Sequence, residues 1–186
     1  VPRIMWPLSI YSIPMTGVEE VERVITRALK KWLGLPRSLT VDALYMKASK
    51  LQLPFKSVVE EVKAAKVRNL MTLRESSDKC ISEAGIEVRT GRKWRASEAV
   101  DEATSSLRMQ DIAGIANIGK EGLGWNQRQY YNKSAGKERR NLVIQEVRKK
   151  EDEIRSENGR KRATGGMDEM GSSAEEGDRS RYVVNA

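Results

Sequence analysis

The chain has 186 residues and a formal net charge of +8, from 34 lysine and arginine residues against 26 aspartate and glutamate residues. It contains no histidine and one cysteine, Cys80, which excludes imidazole-based triads and an intramolecular disulfide among its own side chains. The hydrophobic fraction of 39% suffices for a modest core, and no apolar run approaches the roughly 20 residues that span a bilayer. We therefore expect one small domain with appendages, an intracellular location (cytoplasmic or nuclear) and no membrane partner.

The positive charge is concentrated in two parts of the chain. Residues 1–70 carry 12 basic and 6 acidic side chains, and residues 117–162 carry 13 and 7. Residues 71–116 between them carry 7 basic and 8 acidic side chains. Two basic parts separated by a near-neutral connector favour a polyanionic partner over uniform solubilising charge.

The first clear helix is predicted to follow an extended opening that ends at Pro14. Thr16 and Glu19 have the spacing of a capping box, and Gly34 marks the end of the helix. Apolar residues at steps of three and four predict its buried face, formed by Val18, Val21, Ile25, Ala28, Leu29 and Trp32. The opposite face carries a basic stripe of Arg23, Arg27, Lys30 and Lys31, extended by Arg37. Such a stripe suits either a solvated helix surface or a contact with nucleic-acid phosphates.

The rest of the chain predicts an all-α fold, a small irregular helical bundle with a disordered C-terminal tail. We predict a short helix over residues 38–47, a helix from about residue 54 or 57 to Leu73, and a short helix ended by Gly85. A helix is predicted from about 96 to 109 and a last one from 137 to 154, with a glycine-rich connector between them. The expected domains are a thumb-like helical part (1–75), a helical extension with a basic loop (76–155) and the tail (156–186).

The basic loop of the extension is the second candidate site. It places Arg89, Arg92, Lys93 and Arg95 around Trp94. An exposed indole among cations suits single-stranded nucleic acid, because bases stack on it while the cations contact phosphates. Alternatively, Trp94 anchors the loop in the core and leaves the charges outside. The sequence does not separate these two interpretations.

Acidic residues give no candidate metal site. The adjacent carboxylates Glu60 and Glu61, and those of residues 151–153, lie among lysines and arginines, as on solvated helix surfaces. A polymerase holds two metal ions with paired aspartates, and this pattern is missing from the sequence. We expect no catalytic residue, no metal and no cofactor.

Three sequence blocks carry a family resemblance: the opening through VDALY, the block LQLPFKSVVEEVKAAKVRNLMTLRESSD, and EAGIEVRTGRKWRASEAV. The densest parts are KWLGLP at 31–36 and RTGRKW at 89–94. In this order they resemble the thumb and post-thumb region of non-LTR retrotransposon reverse transcriptases, over about two thirds of the chain. From about Gly159 the sequence departs from the family pattern.

The resemblance implies a fragment of an RNA-directed DNA polymerase whose catalytic palm precedes Val1. It implies that the stripe and the basic loop contact an RNA template or an RNA–DNA hybrid through its phosphates, and that the upstream palm is a protein partner. Two alternatives remain. One is a helical adaptor that binds acidic protein partners, and the other is a gene-model remnant with no independent function.

Overall fold

The structure is a computed structural model, and it describes the backbone of residues 2–45, 56–116 and 131–179 and the side chains of residues 3–45, 56–111 and 131–161. These residues form helices and no strand. The helices are α1 (Pro2–Ile10), α2 (Met15–Trp32), α3 (Val41–Tyr45), α4 (Val58–Arg74), α5 (Lys79–Glu83), α6 (Ala96–Ala116) and α7 (Gly136–Arg179). The predicted all-α bundle is confirmed.

Helix α4 is the centre of the bundle. On one side its Val62 packs with Leu8 of α1 and Val18 of α2. On the other side its Val67 belongs to the largest buried cluster of the described residues, together with apolar side chains of α6 and α7. The better-packed core was predicted within residues 1–75, but α6 and α7 contribute more than half of the buried residues of this largest cluster. The domain limits at 75 and 155 stay predictions.

A third cluster closes the C-terminal part of α2. Leu44 and Tyr45 of α3 pack on Leu29, and the Tyr45 hydroxyl lies 3.3 Å from Oγ1 of Thr26. Burial is the main cause that raises the pKa of Tyr45 above its usual value. The predicted short helix is therefore present between residues 41 and 45, while residues 46–55 lie outside the described part of the chain.

Local signals set several helix ends, and those at Ser57, Gly34 and Gly85 were predicted. The Ser57 hydroxyl accepts a hydrogen bond from the Glu60 amide (3.2 Å) and caps α4. Asp78 caps α5 in the same way through the Cys80 amide (2.9 Å). Gly34 and Gly85, with φ of 64° and 59°, follow the ends of α2 and α5, where residues with a Cβ are disfavoured.

The predicted extended opening is wrong, because residues 2–10 form α1. Pro2 is compatible with a first helical position, where its missing N–H has no intrahelical partner. Pro7 lies inside the helix, where it has no N–H to donate, while its carbonyl still accepts a hydrogen bond from the Tyr11 amide (3.0 Å). Burial of Leu8 against α2 and α4 stabilises the helix, and a prediction based on the prolines alone does not include this tertiary packing.

The predicted capping box of α2 is also wrong. The helix begins at Met15, and Pro14 occupies the N-cap position without a side-chain cap. The Met15 amide donates instead to the carbonyl of Thr90 (3.0 Å), and Glu19 pairs with Lys93. A loop distant in sequence thus replaces the local cap.

The buried face of α2 is rotated from the predicted one. Val18 and Leu29 are buried as expected, but Glu22 and Thr26 are buried as well. Trp32, predicted in the core, has 78% of its surface exposed. The face turns because Glu22 and Thr26 have polar partners on α4 and α3, whereas Trp32 extends past the last packed turn.

Helices α6 and α7 are longer than predicted. Val100, Ala103 and Leu107 of α6 point inward as expected, and the helix continues to Ala116. In α7 the thin apolar stripe is buried at Val143, Ile144 and Val147. Ile154, by contrast, is exposed. The glycine connector at residues 119–124 lies outside the described residues.

The predicted end of the last helix at Ile154 is too early, since α7 continues to Arg179. Lys161 lies 2.8 Å from Glu157 at a four-residue step. Such pairs support helical turns without tertiary burial, and a search for apolar stripes misses them. The disorder predicted for residues 156–186 stays a prediction.

We expect trypsin to cleave the chain first within residues 156–186. This segment offers few apolar side chains to bury, while α2 and α4 bury each other. Mass spectrometry of timed digests would identify the first product as a shortened chain with an intact α2. Early cleavage between Val18 and Leu33 would contradict this expectation.

Candidate nucleic-acid interface

The exposed side of α2 carries a row of three cations. Arg23, Arg27 and Lys31 are four residues apart and exposed, and their side chains make no hydrogen bond or ion pair with another described residue. At 3.6 residues per turn they share an arc of about 80° over roughly 12 Å of the helix. Glu20 is exposed on the same face and partly offsets their charge. We call Arg23, Arg27 and Lys31 the cation row.

Lys30, the fourth residue of the predicted stripe, has a structural partner. Its ammonium donates to the carbonyl of Arg37 (3.2 Å) and also to the carbonyl of Leu39. This contact holds the segment after α2 against the helix. Arg37 is exposed, and its side chain makes no hydrogen bond or ion pair with another described residue. The structure therefore brings Arg37 close to the end of the cation row, while Lys30 is engaged with backbone carbonyls.

The basic loop contacts the other end of α2. The Thr90 carbonyl accepts from the Met15 amide, and Gly91 has a φ of 89°. A Cβ on Gly91 would lie 3.2 Å from Cβ of Pro14, so this close approach favours glycine. The Thr90 hydroxyl donates to the Trp94 carbonyl (2.6 Å) and closes the loop.

Trp94 points toward the core. It is half-buried and packs against both the α1–α2–α4 cluster and the α4–α6–α7 cluster. The Lys63 ammonium lies 5.5 Å from its ring centre and 2.7 Å from a carboxylate oxygen of Glu151. This environment supports the interpretation of Trp94 as an anchor of the loop.

The cations of the loop differ from one another in their surroundings. Lys93 donates to both carboxylate oxygens of Glu19, at 2.5 and 2.7 Å, and ties the loop to α2. Arg89 and Arg92 are exposed and make no ion pair with another described residue. Arg95 forms an exposed pair with Glu98 (3.2 Å). Arg89 and Arg92 are thus the loop cations best placed for an external anion.

The prediction of solvated carboxylates at Glu60 and Glu61 is wrong for Glu60, while Glu61 is half-buried. Glu60 is buried, and one of its oxygens accepts from Arg155 of α7 at 2.8 Å. Glu61 accepts from Arg148, also at 2.8 Å. These pairs join α4 to α7. No group of three or more potential metal ligands occurs within the described residues.

Glu22 positions α2, and the sequence analysis did not identify it. One of its oxygens accepts from the Ser57 hydroxyl (2.6 Å) and from the Val59 amide (2.9 Å). A carboxylate at a helix N-terminus receives both hydrogen bonds and favourable dipole interaction. Its position four residues after Val18, within the apolar arc, was an available signal. Glu22 therefore fixes the orientation of α2 on α4.

We expect Glu22→Ala to reduce the free energy of unfolding by about 1–3 kcal/mol, because it leaves buried donors of α4 unpaired. Thermal and urea unfolding followed by circular dichroism would measure this loss. Glu20→Ala is the matched control, since Glu20 is exposed on the same helix and should change stability by less than about 0.5 kcal/mol. Equal stability of the two variants would contradict the capping role.

A buried lysine holds α1 in place. Lys66 has 2% of its surface exposed, and its ammonium donates to the Tyr11 carbonyl (2.7 Å) at the end of α1. Burial lowers the pKa of Lys66 below its usual value. Asn69, one turn later, donates to the Ser9 carbonyl (3.2 Å). Both contacts hold the end of α1 against α4.

No known protein family, no curated protein and no solved structure matches this chain. Among the described residues, no helix is both long enough and apolar enough to cross a membrane.

Proposed function

We propose that this chain is the thumb-like and post-thumb part of a non-LTR retrotransposon reverse transcriptase. In this role it grips the phosphate backbone of an RNA template paired with a DNA primer. Its contribution is the orientation of the primer end, and the chemistry belongs to a palm domain elsewhere in the parent protein.

The observation that carries the proposal is the cation row. Arg23, Arg27 and Lys31 project from a helix whose buried side packs against α3 and α4. Cations without internal partners retain their capacity to replace condensed counterions on a nucleic acid. The roughly 12 Å they span corresponds to about three to four nucleotide steps of 3.4 Å.

The arrangement of the two resemblance segments adds support. KWLGLP, residues 31–36, ends α2 at its C-terminus, where Gly34 adopts a positive φ. RTGRKW, residues 89–94, packs on the N-terminal end of the same helix through Thr90 and Lys93. Both segments thus define the position and limits of the helix that bears the cation row.

A salt titration of binding tests the proposal. We would measure fluorescence anisotropy of a labelled RNA–DNA hybrid, with an octaglutamate peptide as the competing acidic partner. Three phosphate contacts should give a slope of log affinity against log salt of about −2.7. A helical adaptor for acidic proteins would prefer the peptide, and a remnant without function would bind neither probe.

The upstream palm is the protein partner that we propose. The outer side of α1 exposes Trp6 and Ile10, opposite the buried Leu8, and Tyr11 is exposed just after the helix. Apolar side chains grouped on one face of a helix suit a protein interface rather than a phosphate backbone. Such a contact would leave the cation row on α2 accessible.

We expect the purified chain to show no polymerase activity. It lacks histidine, and Glu60 and Glu61 are paired with arginines of α7 instead of converging on a common point. Primer extension on a poly(rA)–oligo(dT) substrate with Mg²⁺ should not exceed a mock purification. Extension above that level, retained through further purification, would contradict the assignment of chemistry to another domain.

A further inference from the structure

A groove of about 700 Å³ lies between the C-terminal part of α4, α5, the basic loop and the start of α6. Its volume falls within the roughly 300–1,000 Å³ typical of small-ligand sites. It is separate from the cation row, which lies on the exposed face of α2. We call it the α4–α5 groove.

The walls of the α4–α5 groove are apolar in part. Ile81 of α5 and Ile86 of the following turn line it, with 39% and 48% of their surfaces exposed. Leu70 and Val88 complete this side and connect it to the main core. Exposed isoleucines in a concave site offer a surface for a flat apolar group.

Three arginines also line the groove: Arg74, Arg89 and Arg95. Arg74 pairs with Asp101 and Arg95 with Glu98, each at 3.2 Å and with both partners largely exposed. Exposed pairs of this kind contribute about 0–1 kcal/mol, so an incoming anion can replace them. Glu87 is the one carboxylate among the lining residues, and Arg89 has no ion pair within the described residues.

We propose that the α4–α5 groove binds unpaired nucleotides of the nucleic acid held by α2, an inference that rests on the proposed function. A base would lie against Ile81 and Ile86, and the arginines would contact the adjoining phosphates. Guanidinium groups suit this ligand because they bind phosphate oxygens in pairs and stack on bases. A purely anionic ligand would leave the apolar wall uncovered.

Continuity with α2 identifies the occupant as nucleic acid. Thr90 and Gly91 line the groove, and the same two residues contact the start of α2 at Met15 and Pro14. From Met15 to Arg23 the helix rises about 12 Å. A stacked single strand leaving a duplex on the cation row covers that distance with about three to four nucleotides.

Hybrids with and without a single-stranded extension test the inference. The probes are a blunt RNA–DNA hybrid and the same hybrid with a six-uridine extension at either end of the RNA strand. The natural chain should bind one extended hybrid about tenfold more tightly than the blunt one, as stacking of one base provides. Ile81→Asp with Ile86→Asp should abolish this preference and leave blunt-hybrid binding within about threefold, because neither residue belongs to the cation sites. Ile4→Asp with Ile154→Asp makes the same chemical change at exposed positions elsewhere and should preserve the preference.

The outcomes separate this inference from the proposed function. Equal binding of blunt and extended hybrids, or a preference that survives the groove variant with helix content unchanged, would overturn the groove assignment alone. Competition by octaglutamate as effective as that by a six-uridine RNA would also overturn it. Failure of the proposed function would appear differently, because the natural chain itself would then not bind the blunt hybrid.

Discussion

Replacing Arg23, Arg27 and Lys31 together with glutamate is expected to weaken binding of an RNA–DNA hybrid by roughly two orders of magnitude or more near 0.1 M salt. Each phosphate contact contributes about 0.9 to the slope of log affinity against log salt, so the slope should flatten by about 2.7. The three side chains are exposed and without described partners, and helix content should therefore stay unchanged. Anisotropy titrations at several salt concentrations, with circular dichroism, would measure both quantities.

The matched control for this variant is a charge reversal away from α2. Arg68, Lys79 and Arg108 are exposed and make no side-chain ion pair with another described residue. Their replacement by glutamate lowers the formal net charge from +8 to +2, as the α2 variant does, because each exchange changes the charge by two. Equal loss of affinity in both variants would show a response to net charge and would refute the cation row. Lys30 is left unchanged because its contacts to the Arg37 and Leu39 carbonyls hold the chain after α2.

Trp94→Ala is expected to reduce the free energy of unfolding by about 2–4 kcal/mol, the largest stability change that we predict for a single substitution. The indole joins two buried clusters, and its removal leaves a cavity between them. It also removes the ring that faces the Lys63 ammonium. For a chain of this size the melting temperature should fall by roughly 5–15 °C.

Trp32→Ala is the control for this substitution. The same residue types are exchanged, but Trp32 is 78% exposed and belongs to none of the three clusters. Its free energy of unfolding should change by no more than about 0.5 kcal/mol. Differential scanning calorimetry of both variants would distinguish the two tryptophans. A larger loss from Trp32→Ala than from Trp94→Ala would contradict the positions of both.

Local sequence signals determined the helical class and several helix limits. Ser57, Asp78 and Gly34 act through their own backbone or the next turn, and for that reason their effects were predictable without tertiary information. The inward positions Val100, Ala103 and Leu107 of α6 followed from spacing alone. The prediction of an extended opening was wrong because it was based on the prolines alone. It did not include the burial of Leu8, which stabilises α1.

The two tryptophans show where spacing is insufficient. Trp32 continues the apolar pattern of α2, yet α3 covers the helix only as far as Leu29 and leaves Trp32 outside. Trp94 lies in a charged loop, yet the loop folds onto α2 and turns its indole inward. Helical periodicity predicts which side of a helix is apolar. The neighbouring elements decide how many turns of that side are covered.

The candidate site also has features that the sequence determines and features that depend on the tertiary structure. The sequence by itself determined which cations share a face of α2, because their four-residue spacing fixes their direction on any helix. Only the tertiary structure decided which candidate cations are free to bind. Lys30 of α2 contacts backbone carbonyls of the segment after the helix, and Lys93 of the basic loop pairs with a carboxylate 74 residues away. Hydrogen bonds and ion pairs between distant segments form only after the helices pack, and no local pattern of residues encodes them.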